Sequence, residues 1–388
     1  MGRPLYLDYH ATTPVDPRVL ERMLPYFVER FGNPSSRNHA FGWEAAEAVE
    51  QARAQVARLI GAHHREVIFT SGATESNNLA IKGVARSLAS QGRHLVTVVT
   101  EHPSVLDSCR ALEHEGWRVT WLGVRGDGLV DLDVFEASLA SDTVLVSVMA
   151  ANNEIGVLQP LARVVELAHA RGVLVHTDAS QAVGKVPFDV HDLGVDLASF
   201  TAHKMYGPKG VGALFVTRKP RAVDVSPILH GGGQERGMRP GTLNVPGIVG
   251  LGVCAEIAGQ VLAEEGARLG RLRDRLLDGL RSSLAGVTVN GSMAHRLPQN
   301  LNVSFADIEG EALGPALGDL AVSSGSACAT GHFTPSHVLT AIGLDADLAR
   351  SSLRFGVGRW TTDEDIDEAV ARVTDVIRGL RRLRAEVL

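Results

Sequence analysis

The chain has little cysteine, no long apolar run and no excess of positive charge. Its 388 residues include three cysteines, Cys109, Cys254 and Cys328, and no Cys-x-x-Cys pair. An odd count without such a pair argues against both a disulfide framework and a structural zinc site. No apolar run approaches the roughly 20 residues needed to span a membrane, and the start of the chain lacks an apolar signal core. With a net charge of −6, nucleic acid is not an expected direct partner, and a cytoplasmic location without a membrane partner follows by default.

Strand patterns alternate with helical patterns along most of the chain, and there is no internal repeat or low-complexity tract. That alternation predicts an α/β fold with a mainly parallel, twisted sheet that helices cover on both faces. Because 388 residues exceed what one hydrophobic core usually supports, we expect a large domain and a smaller one. The predicted strands are Leu5–Asp8, Val67–Thr70, Leu95–Thr100, Arg118–Leu122, Val144–Met149, Val173–His176, Leu197–Phe200 and Val211–Val216, and the clearest predicted helices are Val19–Phe27 and Phe41–Ile60.

Polar side chains follow five of these strands at the point where each strand ends. In open α/β sheets, ligands bind outside the carboxyl ends of the strands. The sequence therefore predicts one pocket at that edge of the sheet. The segments expected to meet there are Ser71–Thr74, Glu101–His102, Asn152–Asn153, Asp178–Gln181 and Thr201–Lys204.

Lys204 lies where a predicted strand runs into a glycine-rich turn. It is either a solvated loop cation or an amine that forms a Schiff base with a carbonyl cofactor. An enzyme that uses pyridoxal phosphate (PLP) needs a lysine for the aldehyde, an acid that keeps the ring nitrogen protonated, and an anion site for the phosphate. Lys204, Asp178 and the Ser71–Thr74 turn supply one group of each kind, which favours the cofactor interpretation.

Several of these features also have purely structural interpretations. The Ser71–Thr74 turn opens a helix whose first N–H groups can bind a phosphate, but Thr74 can equally be an N-cap with no ligand. His102 is either a capping or core histidine, or a ring that stacks on a planar cofactor and moves protons. His176 and Asp178 share one face of a strand, which permits a metal site. No third ligand stands at a suitable spacing, and we expect no metal.

A set of motifs occurs in order along nearly the whole chain. The set resembles the PLP-dependent cysteine desulfurases of the NifS/IscS type, within the class V aminotransferase-like proteins. The motifs are Leu7–Pro14, Gly32–Ser36, Glu101–His102, Asn152–Gly156, Asp178–Gln181, Thr201–Gly212, Gly231–Gly237 and Ser323–Cys328. Three positions depart from the residues most common in that family, namely His10, Ser104 and Pro240.

The resemblance implies the PLP fold-type I architecture, with a mainly parallel sheet in the large domain. Residues 15–255 would form the large PLP-binding domain, and residues 1–14 and 256–388 the smaller α+β domain. Members of this family are homodimers with active sites at the subunit interface. The implied partners are therefore L-cysteine, a second copy of the chain, and a sulfur-acceptor or scaffold protein.

The resemblance also implies roles for individual residues. Lys204 corresponds to the Schiff-base lysine, Asp178 to the partner of the pyridinium nitrogen, Gln181 to the donor to the phenolic oxygen, and His102 to the stacking residue. The implied phosphate-binding residues are Gly72, Ala73, Thr74, Thr201 and His203, with Thr242 reaching the phosphate of the neighbouring subunit. The implied substrate-binding residues are Asn153, Arg354 and Asn33, and the planar fork of an arginine suits a carboxylate.

The three cysteines differ in their surroundings. Cys109 and Cys254 lie in apolar helical patterns and are expected to be inert core thiols. Cys328 lies in a run of small residues without an apolar period, which indicates an exposed mobile loop able to carry a nucleophile. By the resemblance, L-cysteine would become L-alanine while Cys328, deprotonated with help from His102, takes the sulfur as a persulfide.

That sulfur would pass to iron–sulfur cluster or thiolation acceptors. The alternative is a selenocysteine lyase or another PLP-dependent class V reaction on the same fold. In either alternative Cys328 would be dispensable.

Overall fold

The computed structural model describes residues 4–219, 222–324, 326–327 and 334–387, and Cys328 lies outside these ranges. The strands, in chain order, are β1 Leu5–Tyr6, β2 Val67–Thr70, β3 His94–Val98, β4 Arg118–Leu122, β5 Thr143–Ser147, β6 Leu174–Asp178, β7 Leu197–Thr201, β8 Gly212–Val216, β9 Val287–Val289, β10 Asn300–Phe305, β11 Leu320–Ala321, β12 Ser323–Ser324, β13 Ser326–Ala327, β14 Thr334–Pro335 and β15 Ser352–Gly356.

The α-helices connect these strands and cover their faces. In chain order they are α1 Pro17–Met23, α2 Pro25–Val28, α3 Ala40–Leu59, α4 Ala73–Ser87, α5 Pro103–His114, α6 Leu132–Ser138, α7 Leu161–His169, α8 Val190–Leu193, α9 Val245–Ser283, α10 Gly310–Ala316, α11 His337–Ala341, α12 Ala346–Arg350 and α13 Asp363–Val387.

The central element is a seven-stranded sheet with the order β2-β8-β7-β6-β5-β3-β4. The neighbouring strands β7-β6, β6-β5, β5-β3 and β3-β4 are parallel pairs, whereas β8 is antiparallel to both of its neighbours, β2 and β7. All the strands except β8 therefore point the same way, and their carboxyl ends share one edge. This arrangement confirms the mainly parallel sheet. Every strand of the sheet except the edge strand β4 is fully buried, which explains why these strands have largely apolar sequences.

The predicted strands of this sheet agree with the observed ones to within about two residues at each end. The predicted helix Val19–Phe27 is wrong, because the chain forms α1 and α2 with a break at Leu24 and Pro25. A proline has no N–H to donate and disfavours a helical conformation in the residue before it. The second prediction, Phe41–Ile60, corresponds to α3.

A smaller antiparallel sheet, in the order β12-β15-β10-β9, lies beside the large one. Leucines from the second half of α9 and apolar residues of α13 pack with β10 and β15 into a hydrophobic cluster of their own. The predicted domain boundary at residues 255 and 256 falls inside α9. The division into two domains remains a prediction.

Helix α9 contains a stretch long and apolar enough to cross a membrane by length and composition. The expectation that no apolar run approaches this length therefore does not hold for α9. Of that stretch, 67% is buried inside the protein, and α1 and α3 pack against the helix. It is thus accounted for as a core helix, and no other helix of the described residues passes the same test.

Candidate active site

A cavity of about 580 Å³ opens at the carboxyl edge of the seven-stranded sheet. Segments that follow β2, β3, β5, β6 and β7 all contribute to its wall, as the strand-end argument predicts. The predicted site residues that line it are Gly72, Ala73, Thr74, His102, Asn153, Asp178, Gln181, Thr201, His203, Lys204 and Arg354.

Lys204 enters this cavity from the short helical turn after β7. Its Nζ donates to the carbonyl oxygens of His10 and, at 2.7 Å, of Ala11. Burial, and then the positive charge of Arg354, lower the pKa of the Lys204 amine to about 8. The amine therefore loses its proton much more readily than an exposed lysine, so the interpretation as a solvated loop cation is wrong.

Asp178 ends β6 and is 5% exposed. Its Oδ2 accepts from the Asn77 amide at 2.7 Å, and its Oδ1 accepts from the Ser180 N–H at 2.9 Å. Both donors are neutral, and no ion pair neutralises Asp178 within the part of the chain that the structure describes. The carboxylate thus offers the cavity a negative charge in a fixed orientation.

Glu101 is a second carboxyl group behind the same wall, and its protonation state could not be predicted from local sequence. Its Oε1 accepts from the Met149 N–H, while its buried Oε2 has no hydrogen-bond partner within the described part of the chain. Burial, and then the nearby charge of Asp178, raise the pKa of Glu101 well above its usual range. Of the two carboxyl groups, the less solvated Glu101 is therefore the one favoured as the neutral acid.

His102 combines both of its predicted interpretations. Its Nδ1 accepts from the Ser104 N–H at 3.1 Å and so caps α5, while the ring also lines the cavity. Burial lowers the pKa of His102, which favours the neutral ring. Capping occupies Nδ1 and leaves Nε2 available to a ligand.

The turn between β2 and α4 has features that suit the predicted anion site. The N-cap of α4 is Gly72, and no side chain caps this helix start. The interpretation of Thr74 as an N-cap is therefore wrong. The first N–H groups of a 15-residue helix and its dipole are directed at the cavity wall, as anion binding requires.

Arg354, on β15, also lines the cavity. Its Nη2 contacts Asp8 Oδ1 and Ser323 Oγ, each at 2.7 Å, and its Nη1 donates to the Asn153 carbonyl at 2.8 Å. The Arg354 Nε is buried and has no hydrogen-bond partner among the residues that the structure describes. This is a cation with spare donor capacity at the place where the sequence predicts binding of a carboxylate.

Two predicted residues, Asn33 and Thr242, do not line this cavity. Asn33 accepts from the Ser35 N–H at 2.9 Å and lies elsewhere. Thr242 is exposed and also lies outside the cavity of its own chain. Cys328 is outside the described residues. The roles of all three remain predictions.

Four buried or partly buried side chains have no role in the predicted chemistry and have structural contacts instead. Cys109 and Cys254 are each 1% exposed, and burial raises the pKa of each thiol to about 12, so both are core cysteines. His176 contacts the hydroxyl groups of Ser147 and Ser199. Arg359 forms a largely buried ion pair with Asp16 and Glu265.

The cavity fits PLP in three respects. An amine with a lowered pKa, a carboxylate whose described hydrogen-bond donors are neutral, and an uncapped helix start lie around one space. These are the three groups that the cofactor's aldehyde, ring nitrogen and phosphate require. Fold and cavity together define a PLP-dependent enzyme of the α/β type.

Comparison with known proteins identifies the family. The profile of the aminotransferase class-V family matches residues 5–369, and the chain belongs to that family. A relative named cysteine desulfurase IscS, from Anaeromyxobacter sp. (strain Fw109-5), is 58% identical over 99% of this chain and 95% of its own length.

Two solved structures are also similar. A NifS-like protein superposes with a TM-score of 0.90 at 39% identity, covering 97% of this chain and all of its own. SspA in complex with cysteine superposes with a TM-score of 0.81 at 38% identity, covering 92% of this chain and 99% of its own.

Proposed function

We propose that this protein is a cysteine desulfurase, which converts L-cysteine to L-alanine and transfers the sulfur to its own Cys328 as a persulfide. The observation that carries the proposal is the meeting of Lys204, Asp178 and Arg354 around one cavity, in a chain 58% identical to a cysteine desulfurase. The sulfur balance is simple. The carbon–sulfur bond of the substrate breaks, a sulfur–sulfur bond forms on Cys328, and alanine leaves with the proton that replaces sulfur.

The cofactor would be held by residues around the cavity wall. When bound, PLP draws electron density away from the α-carbon of an amino acid attached to it. Asp178 would keep the proton on the ring nitrogen, Gln181 would donate to the ring oxygen, and the start of α4 with Thr201 and His203 would bind the phosphate. The ring of His102 would lie against the cofactor.

Lys204 would exchange the proton at the substrate's α-carbon. Because the pKa of this amine is lowered to about 8, part of it is free base near neutral pH and can accept a proton. Arg354 and Asn153 would orient the substrate through its α-carboxylate. This orientation places the α-carbon on the side of the cavity where Lys204 lies.

Cys328 would attack the substrate's sulfur as a thiolate. A cysteine with an ordinary pKa near 8.5 is only a few per cent thiolate at neutral pH, so a base must assist. The proposed base is His102, whose neutral form is favoured by burial. While Nδ1 accepts from the Ser104 N–H, the neutral ring carries its hydrogen on Nε2, so His102 would have to release this capping hydrogen bond to accept the thiol proton.

The proposed enzyme acts as a homodimer. Large apolar side chains are exposed on α1, α2 and the start of α3, where a monomer would leave them in water. These residues, the N-terminal apolar patch, are Leu20, Leu24, Phe27, Val28, Phe31, Phe41 and Trp43. Thr242 lies outside the cavity of its own chain, as it would if it bound the cofactor in the neighbouring subunit.

Sedimentation of the wild type and of Phe27→Glu, which places a charge in the N-terminal apolar patch, tests the proposed homodimer. A monomeric wild type would refute it.

The persulfide would be delivered to iron–sulfur cluster or thiolation acceptors through a sulfur-acceptor or scaffold protein. Addition of candidate acceptors one at a time, with transfer of labelled sulfur as the readout, would identify that partner. The cytoplasmic location and the lack of membrane and nucleic-acid partners remain predictions.

The test of the function is an assay of alanine and sulfide from L-cysteine. We expect Cys328→Ala to retain the visible absorption of bound PLP but to lose sulfide release, because the cofactor site is intact and the nucleophile is gone. Cys109→Ala, which alters a buried core thiol, is the matched control and should retain activity. Sulfide release by Cys328→Ala would reject the assignment of Cys328 as the nucleophile, because Cys328 would be dispensable in a selenocysteine lyase or another class V reaction.

A further inference from the structure

The ring of His10 has no part in the chemistry proposed above, although it lines the active-site cavity. His10 is 2% exposed and lies in the loop after β1. Its Nδ1 is 3.0 Å from Gln181 Oε1, and its Nε2 is 3.1 Å from Asn300 Nδ2. A ring with a partner at each nitrogen has a definite tautomer, and that tautomer can be deduced from the groups behind it.

The deduction starts at Arg296, whose guanidinium has only N–H donors. Arg296 Nη1 contacts Asn300 Oδ1 at 2.9 Å, so this oxygen is the acceptor of the Asn300 amide. The nitrogen of the same amide lies 3.1 Å from the Glu154 carbonyl, which can only accept. Asn300 Nδ2 is therefore the donor toward His10, and His10 Nε2 accepts.

The same reasoning continues from His10 to Gln181. Because Nε2 accepts, the neutral ring carries its hydrogen on Nδ1 and donates it to Gln181 Oε1. Gln181 Nε2 is 3.1 Å from the His10 carbonyl, which independently requires the amide nitrogen to be on that side. The Gln181 amide thus has its oxygen occupied by the His10 ring, and one hydrogen of its NH2 group remains for a ligand.

The surroundings of His10 support a neutral ring in a fixed place. Burial, followed by the positive charge of Arg354, lowers the pKa of His10 to about 3. A Cβ atom at residue 356 would lie 2.8 Å from His10 Cδ2, so only the glycine there leaves room for the ring.

We propose that His10 is a positioning residue that fixes the side-chain amide of Gln181, so that an N–H rather than a C=O faces the oxygen of the cofactor ring. The proposal rests on the proposed cofactor role of Gln181 and adds the chain Arg296–Asn300–His10 behind it.

The test is a pH titration of the visible absorption of the PLP-loaded enzyme. An N–H that donates to the ring oxygen favours the charged form of that oxygen and so lowers the titration midpoint of the chromophore. His10→Leu should raise the midpoint by about one pH unit, the size expected for loss of one hydrogen bond to a charged group. His10→Asn introduces a side chain of similar size to leucine that can still donate a hydrogen bond. Its titration midpoint should therefore return most of the way to the wild-type value.

Two further variants separate positioning from a general structural role. Gln181→Leu should shift the midpoint as His10→Leu does, and the double variant should shift it no further, since both changes remove one contact. His94→Leu is the matched control, because it removes a buried imidazole held by Thr120 and Thr143 outside the cavity. It should leave the midpoint unchanged.

An unchanged midpoint in His10→Leu, or a double variant whose shift is the sum of the single ones, would overturn the proposal. The tautomer provides a measurement on the wild type that does not depend on how the leucine variant folds. Nitrogen-15 NMR of histidine-labelled protein, with the signal assigned by its loss in His10→Asn, should show the hydrogen on Nδ1. A hydrogen on Nε2 would also overturn it. A wild type that gains no visible absorption with PLP would refute the proposed function itself.

Discussion

At the scale of single residues, Arg354 has a fork whose donors are only partly used by the protein. Nη2 contacts Asp8 and Ser323, whereas Nε is buried and meets no acceptor in the described ranges of the chain. An α-carboxylate that enters the cavity would compete with Asp8 for this guanidinium. The planar geometry matters because a lysine offers one point charge and cannot hold both carboxylate oxygens in a plane.

Arg354→Lys is therefore expected to raise KM for L-cysteine by about 10- to 100-fold, which corresponds to loss of one charge-assisted hydrogen bond. The change in kcat should be smaller, because the contact is made before the reaction as well as during it. Steady-state alanine formation measures both constants. Arg350→Lys, in an exposed ion pair with Asp347, is the control, and an unchanged KM for Arg354→Lys would contradict the substrate-binding role.

At the scale of elements, the β2–α4 turn depends on a glycine from another strand. A Cβ atom on Gly212 of β8 would lie 2.7 Å from the Cα of Gly72 and 2.5 Å from the Phe200 carbonyl oxygen. Gly72 itself has φ of 151°, a conformation that favours glycine. The close approach of β8 thus sets the position of the proposed phosphate site.

Gly212→Ala should move this turn and weaken PLP binding. Loss of one charge-assisted hydrogen bond to the phosphate would raise the Kd for PLP by about tenfold or more. Fluorescence titration of the apoenzyme measures the Kd, and the melting temperature of each variant is followed alongside. In Gly123→Ala the added methyl group has no neighbour within 4 Å, which makes it the control. Equal affinity in both variants would show that the turn does not bind the phosphate.

At the scale of the whole molecule, buried neutral histidines link stability to pH. Burial lowers the pKa of His10 to about 3 and that of His176 and His203 to about 4. In the unfolded chain each would titrate near 6.5. Between these values the unfolded state binds more protons, so this stability is fully present above pH 6.5 and is lost as the pH falls toward 4.

His176 is the best residue for a test because it lies outside the cavity. His176→Asn should reduce the loss of unfolding free energy between pH 6.5 and 4.5 by about 2 to 3 kcal/mol. Urea denaturation at several pH values measures it. His114→Asn removes an exposed imidazole and is the control. If the pH dependence of His176→Asn matched that of wild type, the buried ring would not be a source of the acid sensitivity.

The sequence by itself determined the sheet and most of the cavity. Apolar runs and turn residues are local signals that reveal where each strand ends. In a mainly parallel sheet these ends share one edge whatever the order of the strands, so Lys204, Asp178 and the Ser71–Thr74 turn are placed there together. The break between α1 and α2 was missed although Pro25 signalled it. Local patterns were sufficient here because each group is attached directly to the end of a strand.

The tertiary structure decided the contacts that join distant parts of the chain. His10 and Asn300 meet across 290 positions of sequence, and Glu101 is favoured as the neutral acid only because it is buried beside Asp178. No periodicity encodes either fact. Hydrogen-bond direction and protonation depend on which groups exclude water around them, and that follows from how the two sheets pack rather than from any one segment.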